Sequence, residues 1–233
     1  MSEFDEEFWE ERYRAHPAVW SREPNSQLVA EAADLPPGRA LDAGCGEGAD
    51  AIWLAGRGWR VTAVDFATAA LRKAADHAAR AGITDRIEWL PADLTTWSPE
   101  DAAYDLVSAQ FVHLPQAPER LFARLSEAVA PGGTLLVVGH HPSDLETGAH
   151  RAAGPERFFA ADDVAAMLDP ARRRIEVAEA RPRLSKPHEG DDITVHDAVL
   201  RAQRRAASGT ATRDRSPRSD STLNVATQSQ KRA

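Results

Sequence analysis

The stretch Leu41-Asp42-Ala43-Gly44-Cys45-Gly46-Glu47-Gly48 decides the fold of this chain. A short strand, Arg39–Ala43, runs into a glycine-rich turn, and a helix from Ala49 to Gly56 leaves it. Glycines at such a turn let the backbone approach a ligand closely, and open α/β sheets take ligands at the carboxyl ends of their strands. Gly44-x-Gly46-x-x-Ala49 also fits the dinucleotide fingerprint, so the glycines leave the cofactor open. Asp42 and Glu47 weigh against a diphosphate. They set two acidic groups where it would lie, which suits a ligand carrying an ammonium and a sulfonium.

Outward from the turn, short β-branched runs alternate with longer alanine-rich ones, the pattern of βαβ units. Arg60–Val64 is a second strand ending at Asp65, 23 residues after Asp42, where a carboxylate can accept both hydroxyls of a ribose. That feature suits NAD equally. Ala67–Ala81 predicts a helix stopped by Gly82, Arg86–Leu90 a third strand, and Tyr104–Ala109 a fourth. A helix over Ala117–Val129 ends at Pro131-Gly132-Gly133, and Thr134–Val138 is apolar enough for a central strand covered on both faces. A helix at Ala161–Leu168 precedes two further strands, Arg174–Ala180 and Thr194–Leu200, with no helix between them. The expected fold is therefore a doubly wound, mostly parallel seven-stranded sheet with a late antiparallel hairpin. An amphipathic segment from Phe4 to Tyr13, with Trp20 beyond it, is either a helix on the sheet's edge or an aromatic lid.

The chain of 233 residues suffices for one α/β domain. We divide it into a helical cap (1–37), a main domain (38–204) and a tail (205–233). From Arg205 to Ala233 there are six Lys/Arg against two Asp/Glu and few apolar residues, which reads as disorder. The net charge of -8 argues against a nucleic-acid binder. No apolar run is long enough for a membrane helix, the acidic N-terminus lacks a signal-peptide layout, and a lone cysteine excludes an internal disulfide, so a cytoplasmic protein is expected.

Five motifs in order resemble class I S-adenosylmethionine (SAM)-dependent methyltransferases over residues 38–140. They are Asp42-x-Gly44-x-Gly46-x-Gly48, Val61-Thr62-Ala63-Val64-Asp65, Ala92-Asp93-Leu94, Tyr104-Asp105-Leu106-Val107 and Pro131-Gly132-Gly133-Thr134-Leu135-Leu136. The resemblance implies a Rossmann-like methyltransferase fold and SAM as cofactor. It further implies that Gly44 to Gly46, with Cys45 between them, pack against the methionine moiety beside Asp42. Asp65 would hold the ribose and Asp93 face the adenine amino group. Phe66 and Leu94 would flank the adenine ring, with Gln110 near the methionine end. Trp20-Ser21, Pro24-Asn25, Ala51-Ile52-Trp53-Leu54-Ala55 and Gly139-His140-His141 look more narrowly like the small-molecule group of tellurite-resistance and thiopurine methyltransferases, although no substrate motif of either is present.

Each residue also has a plainer role. The glycines can serve only the turn, Asp65 can cap the following helix, and Asp93 can be a turn residue after Pro91. Cys45 has no evident base partner and reads as a packing residue rather than a nucleophile. A small-molecule acceptor would face the ends of strands four and five, where His113, His140 and His141 are the candidate bases. Adjacent histidines in an extended segment point to opposite faces, so at most one of the last two meets the pocket. A loop from Ser143 to Arg157, with His150 and Arg151, could favour an anionic acceptor. The histidines lack metal-ligand spacing, so no metal is expected. The competing readings are an NAD(P)-dependent oxidoreductase and a non-catalytic SAM-binding module. Two tyrosines, Tyr13 and Tyr104, offer the oxidoreductase little in the way of a Tyr/Lys pair.

Overall fold

A computed structural model describes residues 6–112, 119–145, 158–185 and 193–206. Seven strands, β1 (Arg39–Ala43), β2 (Arg60–Asp65), β3 (Ile87–Pro91), β4 (Tyr104–Gln110), β5 (Val129–His140), β6 (Arg173–Ser185) and β7 (Ile193–Arg204), form one sheet. Its order is β3-β2-β1-β4-β5-β7-β6, with β7 antiparallel to both neighbours and the other pairings parallel. The order reverses between β1 and β4. Connections leave the sheet in opposite directions there and open a crevice at the strand tips.

Helices α1 (Glu6–Ala15), α2 (Ser26–Ala32), α3 (Ala49–Gly56), α4 (Thr68–Ala81), α5 (Glu119–Ala128) and α6 (Ala161–Met167) cover the sheet. The alternation of strand side chains divides β5 between two cores. Leu135 and Val137 pack with Leu125 of α5 and Val164 of α6. Leu136 and Val138 pack with Leu28 of α2 and Leu54 of α3. Gly82 ends α4 in the left-handed conformation, φ +70°, as the sequence predicts.

Three features depart from the sequence reading. Strand β5 starts at Val129, because Val129 already pairs with Tyr104, so Pro131-Gly132-Gly133 forms the irregular start of the strand. The hairpin strands are longer than their apolar runs, since pairing continues through Arg181–Ser185 against Asp197–Ile193. Helix α2 carries too few residues for its period to stand out; the Asn25 side chain caps it by accepting the Gln27 N–H at 2.8 Å. Of the expected tail, Arg205 and Ala206 lie within the described residues and 207–233 outside them.

Leu136 is fully buried at the centre of the sheet. Leu136→Ala is expected to lower unfolding stability by about 2–5 kcal/mol, measured by denaturant titration, because the strands around it cannot collapse into the void.

Candidate functional site

The turn after β1 is shaped from the neighbouring strand. Gly44 and Cys45 both donate their N–H groups to the Val64 carbonyl, at 2.8 and 3.0 Å. Gly46 donates to Asp65 Oδ2 at 2.9 Å, and Asp65 Oδ1 accepts the Ala67 N–H at 2.9 Å. Gly44 has φ +78°, and a Cβ there would lie 2.8 Å from Val112, so geometry and packing both demand glycine. At Gly48, φ +81°, a Cβ would lie 2.6 Å from the Trp89 ring, so the missing side chain lets α3 close on the sheet.

The N-terminal segment closes one side of the crevice. Trp9 and Tyr13 of α1 pack on Ala67, Ala69 and Ala70. Glu10 supplies the cap that α4 lacks locally, accepting the Ala69 N–H at 2.9 Å and the Thr68 hydroxyl at 3.0 Å. The Trp20 indole N–H reaches the Tyr13 hydroxyl at 2.9 Å. Glu47 does not present a free carboxylate to the crevice, which corrects the sequence expectation. Its Oε2 accepts the N–H groups of Val19 and Trp20, at 3.0 and 3.2 Å, and its Oε1 pairs with Lys73 at 3.0 Å.

These elements enclose a cavity of about 770 Å³, a size typical of small-molecule sites. Asp42, Gly44, Cys45 and Gly46 line it from the first turn. Asp65 and Phe66 line it from the tip of β2, Asp93 and Leu94 from beyond β3, and Gln110 from the end of β4. All nine residues expected to hold a cofactor thus line this one cavity. Asp93 is also a turn residue, since its carboxylate takes the Thr95 N–H and hydroxyl, both at 2.7 Å.

His140 lines the cavity, its ring 4.7 Å from Phe111 and 5.4 Å from Phe158. His141 is not among the described lining residues; its Nδ1 lies 2.9 Å from Ser143 Oγ. His113, His150, Arg151 and Arg157 fall outside the described residues. No group of three potential metal ligands occurs among the described residues. Sequence reasoning missed Asp50, Arg183 and Asp197, which also line the cavity, whereas Phe111 and Val112 line it from the end of strand four, where an acceptor is expected. Phe111 sits at φ +49°, a rare conformation for a bulky residue, and no local signal announced it.

Burial dominates the electrostatics. It pushes the Asp42 carboxyl well above the usual range, with Asp50 and Asp65 adding repulsion, and pushes Asp50 up to about 6. Burial also raises Asp65, against the opposing pull of its two N–H donors. The Cys45 thiol is driven well up by burial and by Asp65 and Asp42, leaving it no thiolate character. Asp42 Oδ2 and Gln110 Oε1 lie buried with no hydrogen-bond donor among the described groups. Carboxyl groups crowded at the tips of β1 and β2 answer a cationic nucleoside and oppose a diphosphate.

The comparisons agree with this geometry. Residues 40–133 match the model of the methyltransferase domain family. The chain is 32% identical over 133 residues to a trans-aconitate 2-methyltransferase of Streptomyces coelicolor, covering 55% of this chain and 43% of that protein. It is 30% identical over 140 residues to the 2-heptyl-1-hydroxyquinolin-4(1H)-one methyltransferase of Mycobacteroides abscessus, covering 54% and 61%. The chain spans about half the length of the curated relatives it matches. In fold it is similar to the N-methyltransferase NodS of Bradyrhizobium japonicum, solved with S-adenosyl-L-homocysteine. There the TM-score is 0.62 at 18% identity, over 84% of this chain and 96% of that one. Residues 40–133 thus match a methyltransferase domain, set in a fold shared with solved SAM-dependent methyltransferases.

The carboxyl groups predict a pH dependence. Below about pH 6 the empty site holds a proton that a cation expels, so SAM binding tightens with rising pH, up to about tenfold per pH unit for each proton released. Calorimetry in two buffers of different ionisation enthalpy measures that release. Asp50→Asn is expected to diminish it.

Proposed function

We propose that this chain transfers a methyl group from SAM to a small-molecule acceptor, with residues 1–37 acting as the cap of the site. The observation that carries the reading is the cavity itself, which joins the acidic cradle at β1 and β2 to an aromatic and basic wall at β4, β5 and β6. When bound, SAM supplies a methyl group made electrophilic by its sulfonium. Asp65 accepts the ribose hydroxyls on the lone pairs its two N–H donors leave free. Phe66 and Leu94 flank the adenine, and Asp93 faces its amino group. Asp42 and Asp50 oppose the positive charge of the methionine moiety, with Gln110 beside it.

The rest of the wall holds the acceptor in line and excludes water, which is the main demand of a displacement that disperses charge. Trp20, Phe111 and Val112 supply apolar surface for this. His140, on the wall at the tip of β5, takes the proton of a hydroxyl or amine acceptor. His141, turned toward Ser143, stays outside the proton transfer. A small acid or hydroxylated ring as acceptor draws support from the names of the relatives above. A dinucleotide-dependent oxidoreductase is disfavoured, since Asp42 and Asp50 flank the start of α3 where a diphosphate would sit. Among the described residues no helix is long and apolar enough to cross a membrane.

Two experiments test the assignment. Asp65→Asn should weaken SAM binding by roughly 10- to 100-fold in calorimetry, as expected for charge-assisted hydrogen bonds made weaker. An unchanged affinity would place the ribose elsewhere. In a methyl-transfer screen of phenols, amines and carboxylic acids read by mass, His140→Ala should slow turnover by about 100-fold or more. The same variant should keep its affinity for S-adenosylhomocysteine, while His141→Ala should retain near-normal turnover. Equal effects of the two substitutions would remove the base from the mechanism.

A further inference from the structure

The β6–β7 hairpin brings Arg183 and Asp197 onto the cavity wall beside Phe111 and His140. Asp197 sits opposite His140 in the β5–β7 register and is 1% exposed. Its two oxygens take the Arg183 Nε–H at 3.0 and 2.9 Å, and Gln27 Nε2 donates to Oδ2 at 3.3 Å. The guanidinium is therefore anchored through Nε. Its Nη1 and Nη2, which carry the other four N–H donors of an arginine, have no hydrogen-bond partner among the described residues. Arg183 is also the only Lys or Arg among the described residues of the wall, its Cζ 5.9 Å from the Phe111 ring.

We propose that Arg183 anchors a carboxylate group carried by the methyl acceptor and so sets acceptor specificity; this rests on the methyl-transfer reading above. A guanidinium held by Nε presents its two Nη groups as a fixed fork, the geometry that receives a carboxylate bidentately. Asp197 balances the arginine charge, so the wall does not repel a cationic cofactor, and it limits the rotamers lost on binding. At the other side of the cavity Asp42, Asp50 and Asp65 oppose an anion. The two poles together orient the acceptor, acid group toward β6 and reacting atom toward the cradle. The anchored carboxylate is distinct from the attacking atom, since a bidentate arginine lowers the nucleophilicity of the oxygens it holds.

The test titrates benzoate, trans-aconitate and neutral benzamide into the full chain saturated with S-adenosylhomocysteine, followed by calorimetry. The wild type is expected to bind at least one of the two acids and to bind benzamide at least tenfold more weakly than that acid. Arg183→Gln should weaken binding of that acid by roughly 10- to 100-fold, the loss expected for a charge-assisted pair. Arg183→Lys keeps the charge against Asp197 and should lose less, because it lacks the fork. S-adenosylhomocysteine affinity, measured on each variant, should stay within about threefold of wild type, and it reports a folded site. The proposal is overturned if both substitutions leave acid binding unchanged, or if the wild type binds neither acid at millimolar concentration. It also fails if Arg183→Gln weakens S-adenosylhomocysteine as much as the acid, since the arginine would then serve the donor's own carboxylate. A wild type that does not bind S-adenosylhomocysteine would instead defeat the methyl-transfer reading itself.

Discussion

Two backbone amides converging on one buried carboxylate hold the site together. The turn after β1 is built of glycines, which by themselves would leave it many conformations. Asp65 removes that freedom by binding Gly46 on one side and Ala67 on the other. The start of α4 and the turn leading to α3 are thereby fixed to one point at the tip of β2. Burial makes the charge expensive and raises the pKa of the group, and the two N–H donors offset the expense. The same carboxylate lies on the cavity wall, so the group that shapes the cradle is also one that a ligand meets.

The cavity is polarised along the strand order. Toward β1 and β2 it carries Asp42, Asp50 and Asp65, all raised by burial, and Asp42 further by the other two. Toward β7 and β6 it carries Asp197 and Arg183, which neutralise each other through the arginine Nε. Phe111 lies on the wall between the two regions, strained at φ +49° and touching the His140 ring. Backbone strain of this kind persists where surrounding contacts over-determine it; the Phe111 N–H is held by the Val138 carbonyl at 2.8 Å.

The parts of this arrangement governed by local chemistry were legible in the sequence. Strand β1, its glycine turn and α3 carry their signals within a dozen residues, and Asp65 is marked by ending an apolar strand. Glu47 was misread because its partners, Lys73 and the amides of residues 19 and 20, are remote in the chain and the sequence does not announce their approach. Arg183 and Asp197 were passed over for a different reason. Their place depends on how far the hairpin pairs beyond its apolar runs, and on the register that sets Asp197 opposite His140. Helix α2 was hidden by its brevity. For Asp93 the turn signal and the site signal coincide in one carboxylate, and spacing could not separate them.

The clasp formed by Glu47 has an evolutionary corollary. The donors it grips at Val19 and Trp20 are main-chain amides, so the grip ignores the side chains and excludes only proline at those two positions. Trp20 meanwhile is 44% exposed and turns part of its ring to the cavity. Drift at that position can therefore reshape the mouth of the chamber while the strap bearing it stays tethered, so that selectivity and architecture diverge independently.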